Sequence, residues 1–193
     1  MRWRPPVALL IGSALALVGC RGGGSAAPDS TVPDSAVPDS AVSQSSGPAT
    51  SAAVVPEGFT AVVIEVTRAD GTTESYCVWL AETGEQREQG LMNVTSLGGA
   101  DGMLFRFGVD QNTSFWMKDT LLPLSIAFVA ADGAFVSATD MEPCAPDVAA
   151  CQVYGADGPY ADALEVPQGQ LSALGIGPGT RLRVTGAACA PSG

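Results

Sequence analysis

The chain has 193 residues, with nine Lys and Arg against 20 Asp and Glu and no histidine, for a formal net charge of −11. Nucleic-acid binding draws on clustered Lys and Arg that release phosphate counterions, and polybasic membrane attachment needs the same clusters, so the acidic balance argues against both. The lack of histidine removes the usual Ser and Cys triads, imidazole base chemistry and the commonest zinc ligand.

Met1 to Gly19 has Arg2 and Arg4 followed by an apolar run from Val7 to Val18. That pattern predicts an export signal too short to serve as a mature membrane span. It ends in Leu17-Val18-Gly19-Cys20, which looks like a bacterial lipobox, so Cys20 is the expected lipidated first residue. The chain is accordingly expected on the outer face of the cell membrane, with its lipid as the membrane contact, since two or more acyl chains anchor stably where one does not. Residues 20–56 follow as a tether, with Gly22-Gly23-Gly24 and a degenerate repeat through Pro28-Asp29-Ser30, Pro33-Asp34-Ser35 and Pro38-Asp39-Ser40. This segment has no aromatic residue to build a core and reads as a disordered spacer.

Residues 57–193 are left for one globular domain, and it holds 17 of the 20 acids and six of the nine basic residues. Strand patterns dominate. Thr60 to Thr67 alternates with Val62, Ile64 and Val66 on one face, Asp70-Gly71 supplies a turn, and Glu74 to Ala81 returns as a hairpin partner. Thr83, with Gln86 three residues on, predicts the capped start of a short helix that stops near Gly90. Further strands are expected over Gly102 to Phe107, Thr113 to Lys118, Leu124 to Ala131, Ala134 to Met141, Asp162 to Val166 and Arg181 to Thr185, with a helical turn over Gln168 to Leu174. No strand-helix-strand alternation is present, so the expected fold is α+β, mainly β: a compact antiparallel barrel-like or sandwich domain with one or two short helices.

With Cys20 taken by lipid, Cys77, Cys144, Cys151 and Cys189 remain. In an oxidising compartment an even number predicts disulfides, and three connectivities are possible. Cys144–Cys151 is favoured because Pro143 and Pro146 stiffen a short loop, which leaves Cys77–Cys189. A four-thiolate zinc site is the alternative, disfavoured because no Cys-x-x-Cys pair occurs.

The stretch Glu85 to Met92, then Gly102-Met103-Leu104-Phe105, Ser114 to Thr120, Pro123 to Phe128, Pro143-Cys144, Tyr160 to Val166 and Gly175 to Arg181 resembles the domain of unknown function 192 family across nearly the whole folded region. The resemblance implies a compact, mostly β domain of exported proteins and assigns no reaction. Ser125 stands where the family pattern has Asp, and Gln89 where it has a basic residue, so any role those positions serve in relatives is weakened.

Lys118 is the only lysine. Held among Phe115, Trp116 and Met117 it is a candidate base, nucleophile or carboxylate anchor, but a structural ion pair to Glu165 or Asp119, its stem packed on Trp116, is the more frequent use. Met92, Met103, Met117, Phe105, Phe115 and Trp116 are candidates for an apolar pocket, although such residues more often form core. Trp116, Tyr154 and Tyr160 are candidates for a sugar-stacking platform. The carboxylate pairs Glu165 with Asp162 and Asp140 with Glu142 are available, with no spacing that singles them out. Candidate binding residues are therefore Lys118, Trp116, Arg87, Met92 and Glu165, with no catalytic, metal or cofactor assignment. The expected function is a non-catalytic binding or accessory domain for an envelope protein or polysaccharide; a histidine-free enzyme using Lys118 with Glu165 is the alternative.

Overall fold

The computed structural model describes residues 53–145 and 148–192. The export segment, Cys20, most of the expected tether and Pro146 lie outside them. The described residues fall within one compact unit.

β1 (Thr60–Thr67) and β2 (Thr73–Ala81) pair as an antiparallel hairpin. Its turn is closed by the Gly71 N–H donating to the Arg68 carbonyl at 2.9 Å, while the Asp70 carboxylate accepts from the Thr72 N–H and hydroxyl, the local bonding that makes Asp a turn residue. α1 (Gly84–Gln89) carries the full capping box: the Thr83 hydroxyl accepts from the Gln86 N–H, and the Gln86 side chain accepts from the Thr83 N–H. It ends at Gly90, which adopts φ +46° with the Phe105 ring only 3.2 Å from where a Cβ would stand.

β3 (Gly102–Gln111) then runs parallel to β2, a pairing that the antiparallel expectation misses. A β2-to-β3 connection through α1 is the crossover that parallel neighbours need. β5 (Leu124–Val129), β6 (Phe135–Met141), β8 (Tyr160–Pro167) and β9 (Arg181–Ala188) complete a seven-stranded sheet ordered β6-β5-β8-β3-β2-β1-β9. β4 (Phe115–Trp116) and β7 (Val153–Tyr154) form a separate two-stranded ribbon.

The sheet is not closed into a barrel; its edges meet at one corner, through the Ala134–Arg181 bridge and the hydrogen bonds from the Phe135 N–H to the Thr180 carbonyl and from the Leu182 N–H to the Gly133 carbonyl. A mostly β, sandwich-like domain remains. One face of the sheet packs Met103, Phe105, Ile126 and Phe128 against Leu91, Leu97 and Met117 from the connections; the other packs Ile64, Val78, Leu104 and Leu164 against Ile176 and Leu182. Two expectations shorten. The strand over Thr113 to Lys118 reduces to Phe115–Trp116, because Asp119 turns the chain at φ +54°. Gln168 to Leu174 forms successive turns, with the Leu174 N–H reaching the Gln170 carbonyl, so α1 is the one helix among the described residues.

Cys77–Cys189 and Cys144–Cys151 are both bonded, which uses the four thiols that a zinc site would need. Cys77–Cys189 fastens the end of β9 to β2, beside the Cys189 N–H bond to the Ala61 carbonyl.

Candidate binding groove

The α1 capping box fixes where Arg87 points. Its Nη1 donates to the carbonyls of Glu82, at 2.5 Å, and Arg106, at 2.8 Å, and its guanidinium lies 5.0 Å over the Phe107 ring. Arg87 thus bolts the helix to β3 and lines a groove of about 580 Å³ together with Phe105, Phe107, Phe115 and Trp116. Phe105 and Phe115 meet edge to face, centroids 5.1 Å apart, which is the favoured arrangement for a ring pair. Trp116 is 51% exposed, an open position for the largest of the side chains.

A pit of about 40 Å³ continues the groove, sharing Arg87, Glu88, Phe105, Phe115 and Trp116 with it and adding Met92, Thr120 and Glu165. Glu165 is only 5% exposed, on the central strand β8 between Met103 of β3 and Ile126 of β5. No hydrogen bond or ion pair among the described residues reaches its carboxyl, yet neither oxygen is sealed from solvent. Burial pushes its pKa up to about 8, so the group is mostly protonated at neutral pH.

Two backbone features hold the mouth. Met92 and Thr120 form an isolated antiparallel bridge, and the adjacent Asn93 N–H donates to the Asp119 carbonyl at 2.7 Å. Both Asn93 (φ +60°) and Asp119 (φ +54°) are left-handed, a conformation that Asn and Asp tolerate better than other side chains.

The sequence profile of the domain of unknown function 192 family, described as an uncharacterized ACR, matches residues 65–184. The chain belongs to the domain of unknown function 192 family. A crystal structure of a candidate transcription regulator from Sinorhizobium meliloti 1021 is similar, at 35% identity and TM-score 0.57, over 66% of this chain and 96% of that one. A crystal structure of a protein of unknown function from Novosphingobium aromaticivorans DSM 12444 is also similar, at 30% identity and TM-score 0.57, over 69% and 94%. No curated protein matches.

Of the two departures from the family pattern, Ser125 faces the other side of the sheet from Glu165; its hydroxyl donates to Asp140 and accepts from the Gly169 N–H. That is a structural junction, not part of the groove. Gln89 lines the pit.

The structure separates several candidates that the sequence groups together. Lys118 makes no ion pair among the described residues, so neither expected bridge, to Glu165 or Asp119, forms; its ammonium rests 5.6 Å from the Trp116 ring. Lys118 lines a different hollow of about 250 Å³ beside Cys144 and Cys151, and Trp116 is the residue that this hollow shares with the groove and pit. Of the six apolar pocket candidates, Met103, Phe105 and Met117 are buried, whereas Met92 and Phe115 are half-buried and Trp116 is open. Among these, Phe105, Phe115, Trp116 and Met92 touch the cavities. The stacking platform does not form: Tyr160 is buried with its hydroxyl bonded to Thr113, and buried Tyr154 accepts from the Glu142 N–H. Neither carboxylate pair assembles. Asp162 pairs with Arg106 at 3.8 Å, Asp140 is held by Ser125, and Glu142 accepts from Gln168 at 2.7 Å. Thr120 is not singled out from sequence; its bridge to Met92 brings it to the pit.

Proposed function

We propose that the chain is an exported lipoprotein, anchored through Cys20, whose acidic β domain binds a small ligand in the groove between α1 and β4 without transforming it. The half-exposed Trp116, standing over an aromatic-walled groove that deepens to an unpaired buried carboxyl, carries this reading. Ligand sites are mostly apolar concavities with a few placed polar groups, in the size range of this groove. A lipid anchor and a spacer suit a binding module, because they keep the groove near the membrane without fixing its orientation. Lys118 and Glu165 line different hollows, and no second observation favours the enzymatic alternative.

Two measurements test it. Expression in a lipoprotein-processing bacterium with labelled fatty acid is expected to label the chain and place it in the membrane fraction, and Cys20→Ala is expected to abolish both; unlabelled wild type would overturn the anchor. Equilibrium dialysis of the full chain against envelope small molecules, read by mass spectrometry, is expected to retain an unchanged compound that Trp116→Ala releases. Equal retention by Trp116→Ala would overturn the groove reading, and a chemically altered compound would overturn the non-catalytic one.

A further inference from the structure

Burying a carboxyl with no partner costs free energy, and folded proteins pair such groups or leave them neutral. Glu165 sits in the middle of the sheet, 5% exposed, with apolar cross-strand neighbours on both sides, and it lines the pit. A group that enters the pit comes up against this unpaired residue. Phe105, Phe115 and Trp116 are among the residues that line it, and aromatic rings can attract cations. The Lys118 ammonium near the Trp116 ring is a case within the same molecule.

Resting on the groove reading above, we infer that the pit receives the head of a small linear primary alkylammonium ligand, which pairs with Glu165 while its chain lies along the aromatic groove. The pit, at about 40 Å³, is far smaller than the groove of about 580 Å³ that it adjoins, which favours a compact head group. Polar chemistry supports a primary ammonium. An ammonium has three protons to donate, and the Thr120 hydroxyl, which lines the pit and donates to the Lys118 carbonyl, keeps lone pairs to accept one of them. The other ionisable groups on the pit are Arg87 and Glu88, both from α1; β3, β4 and the Thr120 turn present apolar or neutral side chains. Arg87 opposes a cation, but its guanidinium is committed to two carbonyls and the Phe107 ring, and exposed Glu88 supplies a negative charge beside it. The excess of 17 acids over six basic residues in the domain raises local cation concentration. The step balances without a co-reactant: the ammonium enters, the Glu165 hydroxyl proton leaves to solvent, and the ion pair remains.

Calorimetric titration of the full chain with n-pentylamine tests this, at pH 6 to 9 and in buffers of different ionisation enthalpy. The association constant is expected to rise about tenfold per pH unit between 6 and 7 and to level above 8, with close to one proton released per amine at the acid end. Tetramethylammonium and 1-pentanol, which need no variant, are expected not to bind. Glu165→Gln, which keeps the shape of the protonated side chain, is expected to lose binding. Absent pentylamine binding, affinity independent of pH, unchanged binding by Glu165→Gln, or equal binding of tetramethylammonium each overturns the inference. If pentylamine fails while Trp116→Ala still releases a retained envelope compound, the ligand class is wrong and the groove stands; if Trp116→Ala changes nothing in that dialysis, the groove itself fails.

Discussion

Glu165 and Met103 are direct cross-strand partners on β8 and β3, 5% and 0% exposed, so a carboxyl and a thioether share the centre of the sheet. The burial of Glu165 makes stability depend on pH in an uncommon direction for an acid. Between the ordinary carboxylate value and about 8, the unfolded chain has Glu165 ionised while the folded chain keeps it protonated. The folded state therefore binds more protons there, and stability falls as pH rises through that window, then levels. Glu165→Gln is expected to match wild type near pH 4 and to be more stable at pH 8.5 by on the order of a few kcal/mol. Denaturant melts at the two pH values check this; a constant difference would contradict it.

Gly102 opens β3 where a Cβ would strike the Glu165 carbonyl oxygen and lie 3.0 Å from Val166 Cγ1. Since the obstacle is backbone of a central strand, Gly102→Ala is expected to destabilise by about 1–3 kcal/mol. It also displaces Glu165, so pentylamine affinity should fall beyond what a surface alanine causes. Thermal melts and titration of the same variant report both.

Asn93 and Asp119 hold each other in left-handed backbone at the mouth of the pit. Asn93→Gly is expected to be near neutral, whereas Asn93→Val places a β-branched side chain at positive φ and should cost about 1–2 kcal/mol. Equal melting temperatures for the two variants would show that the turn relaxes freely.

The two disulfides close loops of very different size, with sequence separations of 112 and 7. In the chain-entropy treatment, removing Cys77–Cys189 costs ~4–5 kcal/mol and removing Cys144–Cys151 ~2.5 kcal/mol. Double alanine variants of each pair, compared by urea unfolding, should keep that order.

Local chemistry was the legible part of the sequence. Strand β1, the Thr83 capping box and the Asp70-Gly71 turn are written in neighbouring residues and form where expected. The favoured disulfide pairing also forms, Cys144–Cys151 across its short loop and Cys77–Cys189 between the two cysteines left over. β7 escaped notice because two residues form it and its only partner is equally short β4. The parallel β2–β3 pairing depends on a crossover that residue patterns do not encode. Lys118 drew attention as the sole lysine, yet it lies beside the Trp116 ring without an ion pair. Glu165 was legible as a candidate and illegible as a buried acid. Strand alternation puts it with Ala163 on the face opposite Leu164, and only the folded α1-to-β3 connection and the β4 ribbon cover that face.

The most direct measurement is a carbon-13 NMR titration of the Glu165 side-chain carboxyl in the full chain. A midpoint near 8 that moves down when n-pentylamine is present is the expected result; a midpoint in the ordinary carboxylate range, unmoved by the amine, would contradict a buried, unpaired acid poised to receive a cation.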